Sequence, residues 1–211
     1  MTVSKASPAN GPEKYKIVFA SKNKGKIREL KALLNGMNVD LSSLHDYPDA
    51  PYIVEDGATF LENALKKART ISEYAGAMVI ADDSGLEVDC LGGAPGIHSA
   101  RYAGEDATDY KNVFKLLEQL ENVPTEKRGA SFRCALVLYK TDGTFETFKG
   151  RLKGIISEEP LGSEGFGYDP VFIVPEFGKT IAQLDPDTKN RISHRAMAFA
   201  KLKKSLQKQI E

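Results

Sequence analysis

The chain has 211 residues, 41% hydrophobic and 27% charged, with Lys plus Arg equal to Asp plus Glu at 29 each. That length gives one large domain or two small lobes with room for a core. Nothing in the zero net charge suggests a duplex nucleic-acid binder with its strongly basic face, although it leaves room for a local basic site for a small anion. No apolar run approaches the roughly 18 residues that a membrane-spanning helix needs. Residues 1–14 are polar, carry two prolines and lack an apolar stretch, so they read as a disordered arm rather than a signal peptide. Cys90 and Cys134 each sit in an apolar segment without metal-ligand spacing. They are expected to be reduced, core-packed thiols of a cytoplasmic protein.

Tyr15 to Ala20 (YKIVFA) predicts a first strand. Ser21-Lys22-Asn23-Lys24-Gly25-Lys26 follows, then a helical pattern with Ile27, Leu30, Leu33 and Leu34 on one face. A strand, a short loop and a helix start in that order make an anion site, with free N–H groups and a favourable dipole. The glycine spacing is not that of a Walker A loop. Its three lysines read either as phosphate ligands or as a solvated basic helix start; because they oppose the dipole, a ligand is favoured. A second strand is expected near Asn38 to Leu41, with loop signals from Ser42 to Pro51. Glu55-Asp56-Gly57 then precedes a strong helix from Thr59 to Ala75. Thr59 and Glu62 have capping-box spacing, and Phe60, Ala64, Leu65, Ala68 and Ile71 form an apolar face.

The run Ala77-Met78-Val79-Ile80 predicts a short buried strand ending at Asp82-Asp83-Ser84-Gly85. Adjacent carboxylates at a strand end suit a hard divalent cation, although Asp, Ser and Gly are also ordinary turn residues. Glu55 and Asp56 are either plain loop carboxylates or partners of Asp82 and Asp83 around a metal. Gly92-Gly93-Ala94-Pro95-Gly96 is too particular in conformation for an arbitrary linker. It leads to Arg101 and Tyr102, a cation and an aromatic on a predicted loop, where sites tend to lie.

Asp106 to Leu120 predicts another helix, with Asp109 and Glu118 facing solvent. Three successive strands follow, at 130–139, 144–149 and 151–157, with Thr141-Asp142-Gly143 as a hairpin turn. Phe166-Gly167-Tyr168-Asp169 places two aromatics and a carboxylate around a glycine before a strand at 171–174. It reads as a nucleobase-binding loop or as a turn with core aromatics. A last helix is expected from about Ser193 to Ile210. His194 and Arg195 fall in its first turn, where the dipole disfavours cations, so either an anionic or carbonyl-bearing ligand or a salt bridge to a nearby Asp is required. His45 and His98 lie in loops and suggest no role.

Carboxylates for a metal, a lysine-rich loop for phosphates, an aromatic loop for a base and a His-Arg pair together fit metal-assisted attack of water on a phosphoryl group. No Gly-x-Ser-x-Gly elbow or Cys–His pairing supports covalent catalysis. Five ordered segments resemble the inosine triphosphate pyrophosphatase family, the XTP/dITP diphosphatases. They are Ser21 to Lys26, Thr59 to Ala64, Ala81 to Gly104, Phe166 to Pro170 and Ser193 to Arg195.

The resemblance implies an α/β fold, an elongated mixed β-sheet flanked by helices, with residues 15–211 forming one domain of two lobes around a central nucleotide cleft. It implies hydrolysis of ITP, dITP and XTP to the monophosphate and pyrophosphate with Mg²⁺, in a homodimer, without a nucleic-acid or membrane partner. On the matching positions, Asp83 is the expected general base and a metal ligand, and Glu55 a second metal ligand. Ser21, Lys22, Asn23, Lys24, Gly25, Lys26 and Ser84 are expected to bind substrate, chiefly its phosphates. Phe166, Gly167, Tyr168, Asp169, Lys189, His194 and Arg195 are expected to enclose the purine and read its 6-oxo edge.

Departures from the family pattern are modest. Ser21-Lys22 stands where many members have a Thr-Gly-like pair, and His98 where bacterial relatives often have Tyr. Two other readings are a nucleotide-sensing module without catalysis, against which Glu55, Asp82 and Asp83 all stand, and a pyrophosphatase preferring modified pyrimidines.

Overall fold

The computed structural model describes residues 14–210; the expected disordered arm lies outside the described residues except for Lys14. Seven strands form one mixed sheet in the order β2-β1-β3-β4-β5-β6-β7. β1 (Tyr15–Phe19) lies between β2 (Val39–Ser43) and β3 (Met78–Val88), parallel to both. β3, β4 (Gly129–Tyr139), β5 (Phe145–Ile156), β6 (Phe172–Val174) and β7 (Lys179–Thr180) pair antiparallel. The helices are α1 (Lys24–Leu33), α2 (Phe60–Ala75), α3 (Asp109–Gln119), α4 (Pro186–Ile192) and α5 (His194–Ile210). No helix among the described residues is long and apolar enough to cross a membrane.

The apolar run of β1 is continuous because both of its faces are covered. Ile17 and Phe19 pack against Ile27 and Leu30 of α1 and Phe199 and Leu202 of α5. Val18 and Ala20 pack against Ala64, Ala68 and Ile71 of α2. Alternation along a strand sends successive side chains to opposite faces, so each expected helix stripe meets its own half of β1. The chain leaves β1 for β2 on one side and reaches β3 on the other, which makes the carboxyl end of β1 the switch point where open α/β sheets bind ligands. A third cluster, built from the far ends of β3, β4 and β5 with α3 and the 166–184 region, forms the opposite end of the core.

Several expected boundaries shift. β3 does not end at Asp82; it runs 11 residues, about 35 Å, straight through the acidic pair. Carboxylates inside a strand are costly unless partnered, and the partners described below come from α1, α2 and α5. The two strands expected at 144–149 and 151–157 are one, β5, with Gly150 at its centre. A Cβ on Gly150 would lie 1.8 Å from the His194 carbonyl oxygen, so the glycine admits the start of α5 onto the sheet rather than ending a strand. β7 and α4 carried no sequence signal strong enough to predict them. Cys134 is buried as expected, but Cys90 is exposed in the turn after β3.

Other local expectations hold. Thr59 accepts a hydrogen bond from the Glu62 amide at 3.2 Å as the capping-box spacing predicts, whereas the Glu62 side chain reaches past the cap residue to the Ala58 amide at 2.8 Å. Asp142 caps the β4–β5 turn by accepting from the Thr144 amide. Gly92, Gly93 and Gly96 have φ of 63°, 91° and 56°, a region that L side chains avoid.

Replacing Gly150 by Ala forces a clash with backbone rather than with a side chain that can rotate away. Gly150→Ala is expected to cost about 1–3 kcal/mol, read as a lowered urea midpoint at an unchanged slope.

Candidate active site

β1 pairs with β3 only as far as Phe19 and Ile80. Beyond that point the β1 edge of β3 is open, and a cleft of about 450 Å³ lies there. Ser21, Lys22, Asn23 and Lys26 line it from the α1 side, and Phe166, Gly167, Tyr168, Asp169, His194 and Arg195 line the adjoining wall. Asp82, Asp83, Ser84 and Glu55 also reach it, so most of the expected site residues converge. Three do not line it: Lys24 is exposed outside, Gly25 lies under the Phe166 ring, and Lys189 lies behind that ring.

The loop after β1 is pinned by its own side chains. Ser21 Oγ accepts from the Asn23 amide at 3.1 Å, and Asn23 caps α1 by accepting from the Lys26 amide at 3.0 Å. His45, which suggested no role in the sequence, meets the Lys22 carbonyl at 3.1 Å and ties the loop after β2 to this turn. The first turn of α1 contains no acidic residue, so the dipole and the lysines leave positive potential facing the cleft.

Strand alternation separates the acidic pair. Asp82 is 1% exposed. It accepts from Lys26 at 2.5 Å, Arg195 Nε at 3.0 Å and Ser84 Oγ at 2.9 Å. Burial opposes its charge, but Lys26 and Arg195 outweigh that and hold its carboxyl far below the usual carboxylate range. Asp82 therefore belongs to a sealed ion network. The network continues from Arg195 to Glu29 at 2.9 Å, from Glu29 to Lys189 at 2.8 Å and from Lys189 to Asp169 at 2.6 Å. This resolves the oddity at the start of α5: Arg195 is balanced by Asp82 and Glu29, and burial with the neighbouring Arg195 charge pushes His194 far below its ordinary value, so it is neutral.

Asp83 faces α2 instead. Its Oδ2 accepts from the Asn63 amide nitrogen at 3.1 Å, and its Oδ1 lies 3.5 Å from Lys67 Nζ. Lys67 is also 3.0 Å from Glu55 Oε1. Burial pushes the Asp83 carboxyl up, Lys67 and Lys26 pull it back, and the Glu55 and Asp82 charges add to the rise. Sequence reasoning missed Asn63, Lys67 and Glu29. The first two were detectable: they stand eight and four residues before Ile71 on the buried stripe of α2, where polar residues need a partner.

On the purine-loop side, Phe166 covers Gly25, whose Cβ would lie 2.6 Å from the ring. Lys189 Nζ and Arg195 Cζ sit 4.5 and 5.1 Å from the ring centroid. Asp169 Oδ2 accepts from the Phe166 amide at 2.9 Å, and Asp109, expected to face only solvent, accepts from the Gly167 amide at 2.7 Å. Tyr168 is a core residue whose hydroxyl donates to the Ser99 carbonyl at 2.9 Å. His194 stacks on Phe132 at 4.8 Å, and among the described residues its two ring nitrogens are the buried side-chain polar atoms without a hydrogen-bond partner. Arg101 and Tyr102, singled out as a cation and an aromatic on a loop, do not line the cleft. Arg101 donates to the Glu55 carbonyl at 3.0 Å, and the Tyr102 hydroxyl meets Gln119.

Residues 17–205 match the Ham1 family. The chain belongs to that family. It is 51% identical over 191 residues to a dITP/XTP pyrophosphatase of Geobacter sulfurreducens, covering 90% of this chain and 96% of the relative. It is 53% identical over 186 residues to the same-named protein of Geobacillus kaustophilus, covering 88% and 91%. A solved Ham1 protein from Coxiella burnetii superposes with a TM-score of 0.84 at 41% identity, covering 92% of this chain and 99% of that one. The Ham1 protein of Staphylococcus aureus gives 0.82 at 42% identity over the same shares. The seven-stranded mixed sheet flanked by helices is thus the Ham1 fold.

The network makes a prediction about acid stability. Burial opposes the Glu29 charge, but Arg195 and Lys189 hold its carboxyl below the ordinary 4.5. A lowered folded-state pKa contributes stability that is present above the ordinary value and lost as pH falls below it. Glu29→Gln is expected to lower stability at pH 7 by about 3–5 kcal/mol, because two buried cations lose a partner. It should also flatten the decline in stability below about pH 4.5, measured by denaturant unfolding at stepped pH.

Proposed function

We propose that this Ham1-family enzyme hydrolyses inosine, deoxyinosine and xanthosine triphosphates to the monophosphate and pyrophosphate, removing them from the cytoplasmic nucleotide pool. The residues are read as one domain of two lobes with the nucleotide lying in the cleft between them, and two copies associate as a homodimer. No nucleic acid or membrane takes part.

The observation that carries this reading is Asp83. It is a carboxylate 6% exposed that lines the cleft, raised in pKa by burial, with Oδ2 pinned by Asn63 and Oδ1 3.5 Å from Lys67 Nζ. A carboxylate shifted toward neutrality is a more effective general base than an ordinary one. Asp83 takes a proton from water as the water oxygen attacks the phosphoryl chain. The bond between the α-phosphoryl group and the bridging oxygen to the β-phosphate breaks, and pyrophosphate leaves. Ser21, Lys22, Asn23 and Lys26 hold the phosphates at the helix start, with Ser84 at the edge of the same surface. Lys24, exposed outside the cleft, adds only positive potential, and Gly25 acts by admitting the Phe166 ring.

Glu55 and Asp83 are the residues that would hold Mg²⁺. Two carboxylates there share one ammonium, that of Lys67, so the pair retains negative charge, and hard oxygen donors suit this ion. Among the described residues no group of three or more His, Cys, Asp or Glu is arranged around a metal, which matches an ion that completes its shell with phosphate oxygens and water. When bound, the ion supplies charge neutralisation of the phosphates and acidifies water.

The base lies against Phe166, with Gly167, Tyr168, Asp169 and Lys189 supporting that wall. Neutral His194 offers one donor and one acceptor, and both ring nitrogens await a partner. Arg195 spends Nε, Nη1 and Nη2 bonds on Asp82, Glu29 and Ser84, and its remaining N–H groups address the 6-oxo edge. A 6-amino purine places a donor where this wall needs an acceptor, leaving buried donors unpaired.

The test is product analysis with Mg²⁺ and equal ITP, XTP, ATP and GTP. IMP and pyrophosphate with ATP nearly untouched is the expected result of reading the 6-oxo edge, and GTP, which shares that edge, reports on the 2-position instead. IDP and phosphate would mean that a different bond is cut. Asp83→Asn is expected to remove turnover, by about 10²–10⁴-fold for a lost general base, with the circular dichroism spectrum unchanged.

A further inference from the structure

The carboxylate pair assigned above to the metal already holds a cation that belongs to the chain. Lys67 Nζ lies 3.0 Å from Glu55 Oε1 and 3.5 Å from Asp83 Oδ1, and Lys67 is only 7% exposed. Its position is built in. Asn63, one turn earlier on α2, donates to Asp83 and accepts from the Gly57 amide at 2.8 Å. A Cβ on Gly57 would lie 2.7 Å from that Asn63 oxygen, so the loop carrying Glu55 is seated directly on the helix. Arg101 holds the Glu55 carbonyl from the other side. Lys66 turns outward to Asp56 at 2.6 Å and cannot substitute. Three elements thus converge on one ammonium at the cleft.

A divalent ion binds carboxylate oxygens at about 2.0–2.1 Å. The ammonium already sits on Glu55 Oε1 and Asp83 Oδ1, and a divalent ion drawn to the same two carboxylates is repelled by it at that range. We propose that Lys67 is the resident counter-cation of this pair, displaced when the metal binds and received by the anionic phosphate chain of the substrate. Metal without nucleotide must then expel an ammonium that has no other anion to meet, and so it binds weakly. A triphosphate supplies the missing anion, which couples the two ligands reciprocally. The proposal rests on Glu55 and Asp83 being the metal ligands, and its test separates the two claims.

The experiment is calorimetric titration of the full chain with Mn²⁺ alone, without nucleotide, comparing wild type with Lys67→Gln, Lys67→Arg and Asp83→Asn. Removing the competing charge in Lys67→Gln is expected to tighten Mn²⁺ binding by about tenfold or more. Lys67→Arg keeps the charge and is expected to stay near wild type. In the wild-type chain, saturating Mn²⁺ is expected to raise acetylation of Lys67 by acetic anhydride, read by peptide mass mapping; this arm does not depend on any variant folding. A folded Lys67→Gln that binds Mn²⁺ no tighter than wild type overturns the proposal. So does Lys67 labelling that Mn²⁺ leaves unchanged. Wild-type Mn²⁺ binding that Asp83→Asn does not weaken overturns the ligand assignment itself, and the proposal with it.

Discussion

Asp82 is the charge on which the geometry of this protein depends. A carboxylate at the centre of a sheet is destabilising by several kcal/mol unless cations reach it, and here they arrive from two helices distant in sequence, Lys26 from α1 and Arg195 from α5. Each cation is part of a cleft wall. Arg195 shares Glu29, Glu29 shares Lys189, and Lys189 holds Asp169 inside the 166–169 loop. One line of alternating charge therefore runs from the proposed phosphate loop to the proposed base loop. Moving any member exposes a buried charge, so both walls are held at one separation before a ligand enters. Such preorganisation is what a site needs if binding energy is to act on the reacting atoms rather than on closing the protein.

The second acidic residue does the opposite work through the simplest property of a strand. Because neighbouring side chains point to opposite faces, Asp82 and Asp83 take different partners, although they are adjacent and both reach the cleft. Asp82 is sealed between α1 and α5, and Asp83 is presented to α2 and the cleft. The pair combines a charge that anchors the fold with one left reactive, and environment alone distinguishes them. Burial without full compensation raises Asp83, whereas burial with two close cations depresses Asp82.

Glycines set the remaining tolerances. Gly150 lets the carbonyl of His194 rest on β5, and Gly25 lets Phe166 lie on α1. Both contacts bring the last helix and the 166–169 loop to the carboxyl end of β1, where the sheet opens. The cleft is the gap left where β1 stops and β3 continues.

Much of this was legible in the chain itself. The period of YKIVFA, the capped amphipathic helix after Glu55-Asp56-Gly57, the Thr141-Asp142-Gly143 turn and the positive-φ glycines at 92, 93 and 96 are local signals, and local backbone physics obeys them. The segments of the cleft were legible too, because short loops dense in Lys, Asp, aromatic and Gly residues have little structural reason to be so composed. What the sequence did not contain is who pairs with whom. Continuation of β3 through two carboxylates, the merging of β5 across Gly150 and the roles of Glu29, Asn63 and Lys67 all depend on partners tens of residues away. The stability of a buried charge is set by neighbours in space, and a one-dimensional pattern does not encode that distance. Sequence alone determined most of the helices and strands and the chemistry their loops carry. Only the tertiary structure decided which of two adjacent aspartates is locked between cations and which is left for the cleft, because those partners lie far away in the chain.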